Sequence, residues 1–382
     1  MTTVPPGLLD DPAVPGLAVL LDDARLEPWL EAHGQRLLER RYVRYKPGTS
    51  CVVGLRLESG WAFALATSAA GRPKLDKLGA PGPGLLAVDH RHGMALASMW
   101  ADRDLPALAD LPRAVQRLLP ELGPHEVRTL VHKPHRRWVG LLEAPGAPAP
   151  VLLRAYRRAR AADAASRLRL ARQVKRVVQV PRLLARSTRF AALAVEYVPG
   201  EPLHTAAPGP AGVSLAEVGR ALALVHRRVP VGMPPTDVAD PADTVDLVAT
   251  LLPDLRPRVT DLLAALVSRR PGRPEPGVCH GDFSLDQVIV RPDGALAFVD
   301  WDRGGAGTPA DDLGSLVASG LDGPALADLC AGYADVRPLP SDLGWYVARA
   351  KLLRLAEPFR TASPRWSVEV EERVAELEES WA

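Results

Sequence analysis

Residues 278–301 read VCHGDFSLDQVIVRPDGALAFVDW, and no other stretch limits the available folds so tightly. Two apolar runs, VIV and ALAFV, flank the turn sequence RPDG, which is the pattern of a β-hairpin. One acidic loop enters the hairpin and another acid leaves it. Because a hairpin returns its two ends to one place, Asp282, Gln287 and Asp300 are expected within reach of one another. An amide oxygen and carboxylates gathered in this way suit a hard cation such as magnesium, and one carboxylate stays free for a second task. Phosphoryl transfer needs that division of labour: cations neutralise charge on the phosphates while a positioned carboxylate orients the attacking hydroxyl and takes its proton.

At 382 residues the chain has room for two or three compact units. Its 47 basic and 45 acidic residues leave a formal charge of +2, which gives no general case for nucleic acid or another polyanion as partner. Cys51, Cys279 and Cys330 are widely spaced, with no CxxC pair and no His/Cys run at zinc spacing, so a reducing compartment is expected. The N-terminus lacks the basic-then-apolar pattern of a signal peptide, and no run of about eighteen apolar residues occurs. A soluble, cytoplasmic protein with no membrane partner is the expectation.

The spacing of apolar residues predicts a helix over 26–40. RYVRYKPGTSCVVGLRL and WAFALATSA then read as two strands joined near Gly60. A Gly/Pro-rich stretch at 79–84, a short strand and the helical LPALADLPRAVQRLLPEL follow. A second hairpin, VRTLVHKPHRRWVGLLEA with PVLLRAYRR, resembles the first weakly: Lys46-Pro47 and Val52 match Lys133-Pro134 and Val139, a hint of an internal repeat. A polar helix over 159–178, a strand pair ending in AALAVEYVPGEPL (191–203) and the loop HTAAPGPAG lead to Ser214 and Glu217, which are spaced as a capping box. The remainder is mostly helical, so the chain reads as α+β, with a strand-rich front and a helical back.

His280-Gly281-Asp282 with Gln287, then Val299-Asp300-Trp301, then GTPADDL ending in Asp312-Leu313 resemble in order and spacing the catalytic signature of aminoglycoside phosphotransferases, choline kinases and related small-molecule kinases. The resemblance implies a bilobal protein-kinase-like fold that uses ATP and magnesium. It makes Asp282 the catalytic base, Gln287 and Asp300 magnesium ligands, Asp302 an additional ligand, and His280 a prop for the loop by hydrogen bonding. Most of the family carries Asn where this chain has Gln287; maltokinase-like and glucosamine-kinase-like members are similar here, with an extra N-terminal cap. LLRAY (152–156) looks like the third strand of the ATP-facing lobe, which puts Arg154 at the ATP phosphates. EYVPGEPL resembles the adenine-binding hinge, with Glu196 and Val198 at the nucleotide, and KPHRR (133–137) sits where a phosphate-covering loop would lie, led by Lys133.

Relatives pair the strand cation with a Glu on the next helix, but Asp163 is the only acid between Ala159 and Val180. Either Asp163 does that job or Arg154 is held otherwise. His226 reads as structural, and Asp311 and Asp312 as helix caps. The expected division is a cap over 1–123, an ATP-facing lobe over 124–200 and a helical lobe over 201–382. The acceptor implied is a hydroxyl of an aminoglycoside, amino sugar or sugar, and the acidic C-terminal helix (Glu369, Glu371, Glu372, Glu376, Glu378, Glu379) favours an amine-bearing one. Eleven basic residues against one acid between Arg157 and Arg189 keep a peptide Ser/Thr open as acceptor. A non-catalytic, kinase-shaped binding partner is the third reading, and the oligomeric state is left open.

Overall fold

Two antiparallel five-stranded sheets with the same strand order build the front half of the chain. The first comprises β1 (Leu37–Lys46), β2 (Ser50–Leu57), β3 (Gly60–Thr67), β4 (Leu85–Asp89) and β5 (Met94–Ser98), ordered β1-β2-β3-β5-β4. The second comprises β6 (Glu126–Lys133), β7 (Arg137–Glu143), β8 (Val151–Tyr156), β9 (Leu183–Ser187) and β10 (Ala192–Glu196), ordered β6-β7-β8-β10-β9. The computed structural model describes residues 11–381 apart from 74, 76–83, 147–148, 204–211 and 273–275. The first ten residues, most of the Gly/Pro-rich stretch at 79–84 and most of the loop after Leu203 thus lie outside the described residues.

The expected helix over 26–40 is shorter than its apolar spacing suggests. Helix α1 covers Leu17–Leu21 and α2 covers Asp23–Glu31; Gly34, at φ 68°, turns the chain out of the helix. Leu37–Arg40 then start β1, because pairing with β2 outweighs a local periodicity that fits either state. Each expected hairpin is in fact a three-strand meander, since KPGTS and KPHRR both fold the chain back. The two turns are alike in detail: Thr49 N–H donates to Lys46 C=O and Arg136 N–H to Lys133 C=O, both at 3.0 Å.

Helices α1 and α2 bury Leu17, Leu20, Leu26 and Leu30 against Val43, Val53, Leu55 and Ala64 of the first sheet. Each such side chain contributes about 1.5–3 kcal/mol when fully buried. The same core takes Val245 and Val248, then Leu352, Phe359, Trp366, Val370 and Val374 from the C-terminal end, so distant helices clasp the first sheet. The second sheet is covered on one face by α3 (Leu111–Leu118), where Val115 and Leu118 meet Trp138, Leu153 and Ala194. Its other face receives α4 (Arg158–Ala171) through Ala161, Ala164 and Leu168, in a core continuous with the helical half.

That half contains α5 (Leu215–His226), α6 (Pro241–Leu251), α7 (Arg256–Ser268), α8 (Pro309–Ala318), α9 (Gly323–Ala334), α10 (Leu343–Arg354), α11 (Glu357–Arg360) and α12 (Trp366–Trp381). Among the described residues no helix is long and apolar enough to cross a membrane. The capping box at the start of α5 is complete: Glu217 N–H donates to Ser214 Oγ at 3.3 Å, and Ser214 N–H to the Glu217 carboxylate at 2.8 Å. Short strands β12 (Gly277–Cys279) and β15 (Gly305–Gly307) pair with each other, while β11 (Glu201–Pro202), β13 (Val288–Val290) and β14 (Leu296–Phe298) form a small sheet.

Helices α5 and α9 approach closely through two glycines. A Cβ at Gly332 would lie 1.9 Å from Ala216 O, and one at Gly219 would lie 2.1 Å from Leu329 O. Gly332→Val is therefore expected to force the helices apart and to lower stability by about 1–3 kcal/mol or more, read as a fall in the urea midpoint.

Candidate active site

The hairpin read from the sequence is present, with Val288 opposite Phe298 and Val290 opposite Leu296. Backbone pairing of Val299 N–H with Gln287 C=O at 3.0 Å carries the register one step further, so Gln287 and Asp300 flank the same end. Asp300 itself stands at φ 64°, a left-handed backbone that is uncommon outside glycine and tolerated by Asp. Such a conformation at a hairpin exit re-aims the side chain toward the facing lobe.

Two arginines of the second sheet meet it there. Arg154 Nη1 donates to Asp300 Oδ1 at 2.9 Å and to Asp302 Oδ1 at 3.0 Å. Arg137 Nη1 reaches both Asp300 oxygens at 3.2 Å and Asp302 Oδ2 at 3.1 Å. The Tyr156 hydroxyl donates to Asp302 at 2.9 Å. Burial alone would favour the neutral acid at Asp300, but Arg154 and Arg137 overcome it and hold the group well below the usual carboxylate range. The sequence left open how Arg154 is held, and the answer is Asp300 with Asp302. Asp163 pairs instead with Arg167 at 2.9 Å and Arg160 at 3.1 Å.

The loop before the hairpin is fixed from below by Asp312, in the first turn of α8. Its carboxylate, wholly buried, accepts the His280 N–H at 2.6 Å and the Gly281 N–H at 2.8 Å. It also faces His226 Nε2 at 3.1 Å, while His226 Nδ1 faces the Tyr333 hydroxyl at 3.0 Å. That network assigns the proton to Nε2, with Nδ1 accepting from Tyr333. Asp312 is thus an anchor for the loop rather than a helix cap. An acid in a helical first turn is ordinarily explained by the macrodipole, and its true partners lie 31 and 32 residues away. Asp311 pairs with Arg349 at 3.0 Å; burial raises it to about 6 despite that arginine.

Gly281 stands at φ 83° with Arg303 O where a Cβ would go, 2.5 Å away, so the loop turns there only as glycine. His280 Nε2 donates to Val299 O at 2.7 Å, tying the loop to the hairpin exit, and its ring packs against Trp301 and Phe283. Asp282 is left at the tip with its side chain 42% exposed and Arg303 as ion-pair partner at 3.6 Å. The Gln287 Oε1 atom is sealed from solvent without a hydrogen bond among the described residues, an orphan acceptor that fits a hard cation beside carboxylates.

Lys133 belongs to the same region. Its surroundings, then Arg137 and Arg136, hold its ammonium below the ordinary lysine pKa, against the pull of Asp300 and Asp282. In the segment expected to be a hinge, the Glu196 side chain is used locally, accepting from Arg182 N at 2.8 Å. The Val198 backbone makes no hydrogen bond among the described residues, which leaves its polar groups available. Gly200, with no room for a Cβ against Val290 O at 2.3 Å, seats the segment after β10 on the hairpin.

Sequence reasoning missed the reach of Arg137 to Asp300 and Asp302, the role of Asp312, and Tyr156. The acids of α12 are partly spoken for: Glu378 pairs with Arg258 at 2.5 Å, Glu376 with Lys351 at 2.6 Å and Glu372 with Arg365 at 3.3 Å. Cys279 joins His226 and Asp312 in a buried cluster, where burial and the two neighbouring acids push its thiol well up.

Residues 136–346, more than half of the chain, match the family described as "Phosphotransferase enzyme family". No curated protein matches. Among solved structures, the choline kinase LicA from Streptococcus pneumoniae is similar with a TM-score of 0.52 at 14% identity, over 71% of this chain and 98% of that one. The spectinomycin phosphotransferase APH(9)-Ia, in complex with ADP and spectinomycin, is similar with a TM-score of 0.53 at 12% identity, over 72% and 97%. At such identities the likeness is one of fold: α+β, kinase-like, with a strand-rich and a helical lobe.

Removing the Asp312 carboxylate strands two buried amides and the His226 N–H. Asp312→Ala is expected to cost about 3–5 kcal/mol, read by urea unfolding. Hydrogen bonds from His226 and from the His280 amide outweigh burial and depress the Asp312 pKa, so its contribution is present above the ordinary carboxylate range and is lost as the pH falls below it. The deficit of the variant should therefore narrow on acidification.

Proposed function

This chain belongs to the phosphotransferase enzyme family, and we propose that it moves the terminal phosphoryl group of ATP to a hydroxyl of a small molecule, with magnesium held by Gln287, Asp300 and Asp302. The observation that carries the reading is the cluster in which Arg137 and Arg154 of one lobe grip Asp300 and Asp302 of the other. Guanidinium forks of this kind match phosphate oxygens as well as carboxylates. Arg154, Arg137 and Lys133 would hold the nucleotide's phosphates, and Asp300 and Asp302 would hold the metal together with the Gln287 amide oxygen. The metal supplies neutralisation of charge on the phosphates.

Asp282 orients the acceptor hydroxyl and takes its proton, its loop kept in place by the bonds from Asp312 to the backbone and from His280 to Val299. The backbone of Val198, next to Glu196, receives the adenine. The division into a cap (1–123), an ATP-facing lobe (124–200) and a helical lobe (201–382) goes with this reading. An aminoglycoside, amino sugar or sugar fits as acceptor; the paired acids of α12 weaken the case for an amine on it. A peptide acceptor draws less support, because the basic stretch is largely committed within the fold. Arg160 pairs with Asp237 at 2.7 Å, Arg167 donates to the carbonyls of Pro235 and Gly304, and Arg172 donates to that of Val180.

ATP consumption with magnesium across a library of hydroxylated acceptors tests the reading. Asp282→Asn should lower kcat by about 10²–10⁴-fold while MgATP still binds; turnover left intact in that variant would sink the mechanism.

A further inference from the structure

Position 135 is where the phosphate-side turn asks for glycine and the chain supplies histidine. The matching turn of the first sheet has Gly48 at φ 67°, the left-handed conformation that glycine adopts freely. His135 stands at φ 57°, which L side chains avoid for steric reasons. An outlier of this kind persists where its surroundings over-determine it, and here the surroundings come from the first sheet.

Asp102, just beyond β5, is wholly buried. It accepts the His135 backbone N–H at 2.8 Å, faces His135 Nδ1 at 3.3 Å and faces His132 Nε2 at 3.1 Å. Asp104 adds a second carboxylate 3.4 Å from His135 Nδ1, itself within 3.8 Å of Arg157. Phe63 of β3 packs its ring edgewise on His135 and His132, at 5.1 and 6.2 Å. Gly54, directly opposite Phe63 in the sheet, leaves room for Pro134, whose Cδ would lie 3.2 Å from a Cβ there. A glycine inside a strand often marks such a close approach. His135 Nε2 and His132 Nδ1 are sealed without a partner among the described residues, so both rings give up hydrogen bonds in order to reach Asp102. The ends of the turn so gripped carry Lys133 and Arg137.

We propose that Asp102 and His135 form a positioning device through which the first sheet clamps the 133–137 turn and holds Lys133 and Arg137 ready for the nucleotide's phosphates. The inference rests on the phosphate-facing reading of those two residues. Kinase-like folds that cover phosphates with a glycine-rich loop rely on that loop closing; here the cover is braced from behind, and ordering it costs less at binding. Titration behaviour agrees. Burial works to lower the His135 pKa, but Asp102 and Asp104 outweigh it and push it up to about 9. The charged pairing is complete below the ordinary histidine range and is lost as the pH rises through about 9. Besides those two acids, the ionisable groups around the ring are His132, on Asp102, and Arg157, on Asp104.

His135→Gly in the full chain is the decisive variant, since glycine keeps the left-handed backbone and its N–H bond to Asp102 while removing the imidazole's part of the grip; Asp102→Asn is its companion. Amide hydrogen exchange over 131–138 should quicken in both by about tenfold, and MgATP affinity measured by calorimetry should weaken by about tenfold. Wild-type affinity should fall between about pH 7.5 and 9.5, and the fall should be shallower in His135→Gly, where only groups such as Lys133 still titrate. Unchanged exchange in the turn, or the same affinity and pH profile in His135→Gly as in a wild type that binds MgATP, overturns the clamp alone. A wild type that binds no MgATP overturns the clamp together with the proposed function.

Discussion

Four charges at the seam between the lobes, Arg137 and Arg154 against Asp300 and Asp302, govern much of what this molecule can do. Their partners are 146 to 165 residues apart in sequence. Two carboxylates this close repel, and they share the seam only because two guanidiniums and the Tyr156 hydroxyl lie between them. Losing one arginine would leave an uncompensated, partly desolvated acid, whereas losing the whole set would cost far less. The cluster ties the second sheet to the hairpin exit.

The anchor on the opposite side works by a different physics. Asp312 is held ionised in a sealed site by hydrogen bonds from His226 and from the His280 and Gly281 amides. Hydrogen bonds in such surroundings are directional and gain strength from the low dielectric. The loop carrying Asp282 is thereby positioned through its own amides and the His280 ring, and the acid at its tip stays in solvent contact.

The hairpin was legible because alternation, a Pro-Asp-Gly turn and acids at fixed offsets are local signals, and local signals survive into the fold. Ser214 and Glu217 were legible for the same reason. What escaped was non-local. The apolar spacing over 26–40 suits a helix as far as Glu31, and only the pairing with β2 decides that Leu37 onward is strand. Asp312 looks like a dipole-compensating acid until the His280 loop is folded over it. Arg137 looks like the edge of a charged turn, and nothing near it in sequence names Asp300 and Asp302 as its partners.

The two sheets make the division between scaffold and site explicit. By their shared order and matching first turns, β2 corresponds to β7 and β3 to β8, with Val52 matching Val139. Val139 lies opposite Arg154, and Val52 lies opposite Leu65. Arg137 lies opposite Tyr156, and Ser50 lies opposite Thr67. Where the second sheet presents Arg154, Arg137 and Tyr156 to the acids of the hairpin, the first presents Leu65, Ser50 and Thr67. Leu65 is buried in an apolar cluster with Val52 and Phe63. At those three positions the first sheet carries no charge, and its apolar shelf, Phe63 beside Gly54, supports the turn of its sibling. The same local architecture thus serves twice: once as the wall of the site, and once as the surface on which that wall's turn is seated.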